Sequence, residues 1–241
     1  MRDGTGSEPC GSSVVILDLH RLRISSFQLK QCGSILSIAW AGDNAIAAVC
    51  HINPSLSEYI ETDVSTGVTT CDLLGYDFTR SPSGTKVAHV GWIVDFATPY
   101  AQSNYLQIDH TTVYPLPSGS GPVEQKTLEQ PPQIVYRRGS TYSGIHEFMH
   151  GLAWSPDSGR IALVDCTYDW TPNHPTSLYG SDGRESNRDC SLVAVSTGSL
   201  LEVIPLTDIG VDSVRQSRLT WLDLHRVSLR AGSVTRVIDV R

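Results

Sequence analysis

Hydrophobic residues fall in short runs of strand length, and clusters of Gly, Pro, Ser and Asp divide the runs. The clearest case is residues 152–162, Leu-Ala-Trp-Ser-Pro-Asp-Ser-Gly-Arg-Ile-Ala, in which two apolar runs flank a turn sequence. Pro, Asp, Ser and Gly supply turn geometry between extended segments. The pattern therefore predicts a strand, a tight turn and a second strand.

The same pattern occurs three more times. Residues 77–88 keep the spacing from Ser-Pro to the second strand, although Arg80 stands where the first copy has Trp154. Two weaker copies cover residues 38–47 and 219–227. The equivalent positions are 40, 80, 154 and 221, at intervals of 40, 74 and 67 residues. Because WD-type blades recur about every 40–45 residues, the first interval fits a bare blade and the others fit blades with insertions.

Each complete hairpin is followed by two further apolar runs that a turn divides, such as Ser65-Thr66-Gly67. Strand, Ser-Pro-Asp turn, strand, loop, strand, Thr-Gly turn, strand is the order of a propeller blade. We therefore predict one all-β domain over residues 1–241, a β-propeller of four-stranded antiparallel blades with about four to five blades represented and the end blades incomplete. The predicted blades are 13–30 (partial), 34–75, 76–117, 146–207 and 219–240 (partial), with insertions at 118–145 and 168–189.

These motifs resemble the WD40-like repeats of bacterial TolB-like propellers and of the propeller domains attached to prolyl-oligopeptidase-type serine peptidases. The resemblance covers about residues 13 to 240. It implies a fold rather than a function, because propellers carry many unrelated activities. The partial blades either join into one composite blade or mark a fragment of a longer propeller. We favour the fragment, since closed propellers usually have four to eight blades and four, the number that a composite blade would give, is the rare minimum.

Strand alternation predicts a loop-rich face. The long segments 93–104, 118–145 and 168–189 are interpreted as connections on one side of the blades, although the Pro-containing 118–145 is more typical of a linker. Loops on a rigid scaffold commonly carry binding residues. We predict that this face binds a protein, peptide or glycan; the alternative is a solvated loop whose aromatic residues pack against the blades. The candidate contact residues are Tyr168, Asp169, Trp170, His174, Tyr179, Arg184, His146 and Glu147.

Six cysteines without a CxxC pair suggest disulfides. Cys166 ends the second strand of the fourth blade and Cys190 begins the third, so antiparallel pairing makes them neighbours. We predict a disulfide between them. Three pairings are open for the other four cysteines, buried free thiols being the alternative. The local choices pair Cys10 with Cys32 and Cys50 with Cys71.

The run from His146 to His150 matches H-E-x-x-H, in which two His one helical turn apart bind zinc while the Glu is a general base. The run leads directly into the innermost strand of the fourth blade. In a strand, four residues span about 13 Å, which is too far for two side chains to share a zinc ion. We therefore expect no metal, and we place His146 and Glu147 at the mouth of the central channel as polar contacts.

No G-x-S-x-G elbow, Walker A sequence or G-x-G-x-x-G after a strand occurs, so neither a catalytic residue nor a cofactor is expected. The carboxylate pairs Glu61 with Asp63 and Asp182 with Glu185 fit a solvated surface better than glycosidase chemistry. The sequence favours a non-enzymatic binding or scaffold propeller. Its rivals are the propeller portion of a peptidase or glycosidase and, less favoured, an HExxH zinc protease.

The formal charge of -7 provides no positive field for nucleic acid. No apolar run approaches the roughly 20 residues of a membrane span. We therefore expect neither a nucleic-acid partner nor a membrane span. The first eight residues lack the apolar stretch of a signal peptide. Taken alone, this lack would indicate the cytosol. The cysteines instead favour an oxidising compartment. We therefore expect a periplasmic or secreted protein whose signal sequence is missing from this start.

Overall fold

A computed structural model of the chain describes residues 12–29, 32–53, 56–94, 102–110, 133–137, 145–172, 183–196, 199–207, 209, 214 and 216–241. In chain order, the strands among these residues are β1 Ser12–Asp18, β2 Arg23–Leu29, β3 Ile35–Trp40, β4 Ala45–Asn53, β5 Leu56–Asp63, β6 Thr69–Arg80, β7 Lys86–Val94, β8 Gln102–His110, β9 Gln133–Arg137, β10 Ile145–Trp154, β11 Arg160–Pro172, β12 Gly183–Ser196, β13 Ser199–Pro205, β14 Arg218–Trp221, β15 Arg226–Ala231 and β16 Val234–Asp239. The described residues include no helix that is long and apolar enough to cross a bilayer.

The described residues form two compact units, the first ending at Tyr76 and the second beginning at Asp77. In the first unit, β1 and β2 form a two-stranded antiparallel sheet. Strands β3, β4, β5 and the first part of β6 form a four-stranded antiparallel meander. The two sheets share a core, so a partial blade packs on a complete one. The buried core residues are Val14, Leu29, Cys32, Ile46, Ala48, Cys50 and Ile60.

The second unit continues the same architecture. The last part of β6 lies beside β7, and the sheet continues through β8 to β9. Strands β10 to β13 form the next antiparallel meander, and β14 to β16 form a three-stranded sheet. Alternate apolar residues of these last two sheets form one core. Its largest members include Val164, Leu192, Leu219, Trp221 and Leu229.

The third blade extends further along the chain than we predicted. Its fourth strand is β9, which pairs with β8 and lies inside the segment 118–145 that we interpreted as an insertion between blades. The sequence Gln-Ile-Val-Tyr-Arg has the β-branched and aromatic residues of a strand, but Pro131 and Pro132 directly before it suggested a linker. The long connection therefore joins the third and fourth strands of one blade.

All four copies of the motif form a hairpin turn, and the closing hydrogen bond spans four residues in the two weaker copies and five in the two Ser-Pro copies. In each, the residue after the motif position donates its backbone N–H, at 2.8 or 2.9 Å, to a carbonyl across the turn. In the two Ser-Pro copies, the serine hydroxyl is buried and also accepts a backbone N–H from Lys86 or Arg160. The weaker copies therefore belong to the repeat. The donor and acceptor pairs are Ala41 with Ala45, Ser81 with Lys86, Ser155 with Arg160, and Leu222 with Arg226.

Tryptophans of the motif join neighbouring blades of the second unit. Trp154 Nε1 donates to the carbonyl of Thr79 at 3.0 Å, and Trp221 Nε1 donates to the carbonyl of Ala153 at 2.9 Å. In both cases the acceptor is the residue just before the motif position of the preceding blade. This repeated contact between innermost strands, together with the four-stranded meanders, confirms the predicted fold as an incomplete β-propeller.

Candidate functional site

The candidate binding residues lie on a long β-hairpin. Strand β11 continues to Pro172 and β12 begins at Gly183, so the predicted loop over 168–189 is wrong at both of its ends. The sequence predicts a loop here because Gly, Pro and Ser are frequent among these residues. Thr, Tyr and Trp favour strands, however, and pairing with β12 satisfies their backbone groups.

Strand pairing places three parts of the second unit side by side at this end of the hairpin. His146 in β10 is paired with Tyr168 in β11 and, through one parallel bridge, with Gln102 in β8. Gln102 belongs to the predicted segment 93–104 and Tyr168 to 168–189. The backbone therefore brings two predicted segments and the H-E motif together. Beyond them, the paired residues are Trp170 with Glu185 and Thr171 with Arg184.

The predicted contact residues differ in how far the structure describes them. Tyr168 and Asp169 are half-buried. Their partial burial leaves part of each side chain accessible. For four predicted contacts the structure describes the backbone but not the side chain, and two more lie entirely outside the described residues. The roles of all six stay predictions. The former are His146, Glu147, Trp170 and Arg184, and the latter are His174 and Tyr179.

This end of the blade is opposite the Ser-Pro-Asp turn. In the β10–β11 pair, Ile145 lies beside Asp169, whereas Trp154 at the other end of β10 lies directly before the turn. The third blade has the same polarity, because Val94 and Gln102 are paired at the far end from its own turn. We call the end that carries Gln102, His146 and Tyr168 the loop end.

The predicted segment 118–145 begins at the opposite end of the blade from the one that the sequence predicts. His110 is paired with Lys86, directly after the Ser-Pro turn of the third blade, and Gln133 is paired with Ile108. The connection between β8 and β9, which contains most of 118–145, therefore starts and finishes at the turn end. The sequence instead predicts the loop end, because the segment resembles a connection between blades.

A disulfide joins Cys166 to Cys190, as predicted. The two residues are directly opposite each other on β11 and β12. Because both strands continue beyond the bond, it clamps the middle of the hairpin rather than the base of a loop. The bond thus holds the two strands together next to Tyr168 and Asp169.

The other predicted pairings of cysteines are wrong. Cys32 is bonded to Cys50. Cys50 cannot reach Cys71, because β5 lies between their strands and two strand spacings are about 9–10 Å, beyond the Cα separation of a disulfide. Cys71 is buried in β6, and Cys10 lies outside the described residues. Local sequence spacing misled us because Cys32 precedes β3 and meets the neighbouring strand β4.

The H-E-x-x-H run lies in β10, as its sequence context predicted. His146 and His150 are therefore about 13 Å apart along an extended strand, which does not match a zinc site. His150 is buried. Among the described residues, no group of three His, Cys, Asp or Glu side chains is placed to hold a metal ion.

Asp77 is a structural carboxylate that sequence inspection missed. It accepts the backbone N–H of Leu152 at 3.2 Å, next to Gly151, where β10 has a bulge. Gly151 has a φ of +69°, which favours glycine. Burial raises the pKa of Asp77, and the N–H donors from β10 partly oppose that rise. The only sequence signal is that Asp77 stands three residues before the motif position of its blade.

A carboxyl pair in the first unit is not apparent from the sequence. Glu58 in β5 is buried, and its side chain is hydrogen-bonded to that of Asp72 in β6. Burial, then the charge and hydrogen bond of Asp72, raise the pKa of Glu58 to about 8. Of the pair that we had considered, Glu61 is buried and accepts the Tyr59 hydroxyl at 2.6 Å, so it does not lie on a solvated surface. Asp63 instead accepts backbone N–H groups of the following turn.

Comparison with known proteins gives only distant structural likenesses. No family model and no curated protein sequence matches the chain. The structure is similar to the propeller domain of the Trilobed protease from Pyrococcus furiosus, with 13% identity over 96% of this chain and 61% of that one, and a TM-score of 0.45. It is also similar to TolB from Acinetobacter baumannii, with 19% identity, coverage of 95% and 59%, and a TM-score of 0.29. An acylaminoacyl peptidase gives 11% identity, coverage of 85% and 32%, and a TM-score of 0.39.

Proposed function

We propose that this chain is a non-enzymatic binding or scaffold propeller that engages a protein, peptide or glycan through its loop end. The observation that supports the proposal is the adjacency of Gln102, His146 and Tyr168 on three neighbouring strands. The turn end of the same blades has short, internally hydrogen-bonded Ser-Pro turns. These turns close on themselves, whereas strand ends and connections on a rigid scaffold, such as those at the loop end, commonly carry binding residues.

The long hairpin supplies the predicted anchors. Trp170 and Tyr179 are the aromatic residues that we expect to dominate binding, because aromatic side chains bury large areas at low entropic cost. The Cys166–Cys190 bond restrains the strand that carries Trp170. Restraint before binding lowers the entropic cost of association.

Export of the protein is part of the proposal. Two disulfides among the described residues support an oxidising compartment, since cytosolic disulfides are rare. A periplasmic or secreted location also fits peptide and glycan partners. Fractionation of the native host, with non-reduced protein detected outside the cytosol, tests this part separately.

Arrays of extended peptides and of glycans provide the probes for the binding test. For a ligand found there, Trp170→Ala should weaken binding by about 2 kcal/mol, or roughly 30-fold, while the melting temperature stays unchanged. Trp40→Ala is the matched control, because Trp40 is 60% exposed and lies outside the loop end. An absence of ligands, or a ligand crosslinked to the turns at 81–85 and 155–159, would refute the proposal. Cleavage of the peptides would favour the hydrolase instead.

A further inference from the structure

The three-stranded sheet β14–β16 has two chemically opposite faces. Its inner face is apolar and buried, with Leu219, Trp221, Val227 and Leu229 in the core. Residues of the other face alternate with these and are mostly exposed. That outer face is mostly polar, with Val237 as an exposed apolar member, and its polar members include Arg218, Thr220, Ser228, Arg230 and Thr235.

Two arginines stand directly opposite each other on this outer face. Arg218 in β14 is the Cα partner of Arg230 in β15, and Arg230 is in turn the partner of Thr235 in β16. Cβ atoms of directly opposed residues are about 4.5–5.5 Å apart, and like charges in such a pair are destabilising. The two positive charges of the pair therefore repel each other, and an anion between the guanidinium groups would relieve that repulsion.

No carboxylate of the described chain supplies that anion, because neither Arg218 nor Arg230 forms an ion pair within the described ranges. The contrast is Arg226, on the same strand as Arg230. Its guanidinium Nη2 lies 2.6 Å from Asp223 Oδ2. The sheet thus neutralises an arginine at its turn but leaves the two opposed ones with their charge unbalanced.

The outer face also forms a groove with hydroxyl groups beside the arginines. The groove is open to solvent and has a volume of about 470 Å³. Hydroxyl groups donate and accept hydrogen bonds, and guanidinium groups bind carboxylate or phosphate oxygens in bidentate geometry. The lining residues are Arg218, Thr220, Ser228, Arg230, Gly232, Ser233 and Thr235.

This face differs from the faces with which blades pack on one another. The side of β11 and β12 that belongs to the shared core presents Ala162, Val164, Leu192 and Ala194, all buried and apolar. A neighbouring blade would have to bury two unpaired charges on the outer face of β14–β16, which is costly. The groove therefore suits a charged ligand better than another blade.

We propose that this groove is a binding site for the oxyanion group of a small molecule, either a carboxylate or a phosphate. Arg218 and Arg230 hold the oxyanion from two sides, and the hydroxyl groups of Thr220, Ser228 and Thr235 bind its remaining oxygens. The site is independent of the loop end, since it lies on a different blade.

Calorimetric titration with inorganic phosphate and with citrate, at low ionic strength, tests the site. At least one of these anions should bind saturably at one per chain, and Arg218→Gln or Arg230→Gln should weaken that binding at least tenfold, since each removes one guanidinium. Tighter binding of citrate identifies a carboxylate ligand, and tighter binding of phosphate identifies a phosphate group. The bound anion should also raise the melting temperature of the unaltered protein but not of the variants.

Arg226→Gln is the matched control, because it removes an exposed arginine of the same strand that lies outside the groove. It should leave anion affinity within about twofold, a difference well under 1 kcal/mol. Equal losses in all three variants would show non-specific electrostatic attraction and overturn the proposal. The absence of saturable binding for both anions would overturn it as well.

Discussion

Residues of the same type at the same motif position have different surroundings in this protein. Trp154 and Trp221 are 8% and 6% exposed, and each donates its indole N–H to the preceding blade. A buried indole needs such an acceptor, because an unsatisfied N–H is costly. Trp40 occupies the equivalent position but is 60% exposed. The motif therefore predicts the turn, whereas burial of its tryptophan depends on a neighbouring strand.

The pairing of buried Glu58 with half-buried Asp72 predicts that stability depends on pH. The pKa of Glu58 is about 8 in the folded protein and 4.5 for an unperturbed Glu, so the folded state keeps a proton that the unfolded chain loses. The stabilising contribution is complete below about pH 4.5 and is lost as the pH rises through about 8. Between pH 5 and pH 9, the melting temperature of the protein should fall by at least about 5 °C, because a pKa rise of this size corresponds to more than 1 kcal/mol of stability.

Glu58→Gln should remove most of that fall, because glutamine keeps the hydrogen-bonding capacity but does not ionise. Asp43→Asn, which changes an exposed carboxyl of the same unit, provides the control and should melt with the pH profile of the unaltered protein. Melting curves followed by circular dichroism across this range give the result. A profile for Glu58→Gln as steep as that of the unaltered protein would show that the pair does not titrate in this window.

At the scale of elements, the hairpin of β11 and β12 is the part that the disulfide supports. Replacing Cys166 and Cys190 together by serine should lower the free energy of unfolding by about 3 kcal/mol, the size expected for a loop of this length. Hydrogen exchange should increase most at 167–172 and 183–189, beyond the lost bond. The double variant of Cys32 and Cys50 should leave exchange in this hairpin unchanged. Unaltered exchange after loss of Cys166–Cys190 would mean that pairing alone holds the hairpin.

The elements that depend on local chemistry are predictable from the sequence. The Ser-Pro-Asp turns are local, since the hydroxyl of Ser155 and the carboxylate of Asp157 close the turn within five residues. The H-E-x-x-H strand was predictable from the turn that follows it. The position of β9 and the ends of β11 and β12 were not, because partner strands distant in sequence stabilise them. The Cys32–Cys50 bond was missed for the same reason.

Across the whole molecule, regular blades account for the fold, and the unequal motif intervals arise from connections of very different length. Because β9 pairs with β8, one long connection starts and finishes at the turn end, so length alone does not mark the binding face. The adjacency of Gln102, His146 and Tyr168 is the feature that sequence order could not reveal and that strand pairing supplies. It is the basis for preferring the loop end.

Hydrogen–deuterium exchange, with and without a ligand selected on the peptide and glycan arrays, tests that preference most directly. Bound ligand should slow exchange at 102–104, 145–148 and 167–172, on the three strands that meet at the loop end. Exchange at the turns 81–85 and 155–159 should not change. Protection confined to those turns, with the loop end unaffected, would contradict the account.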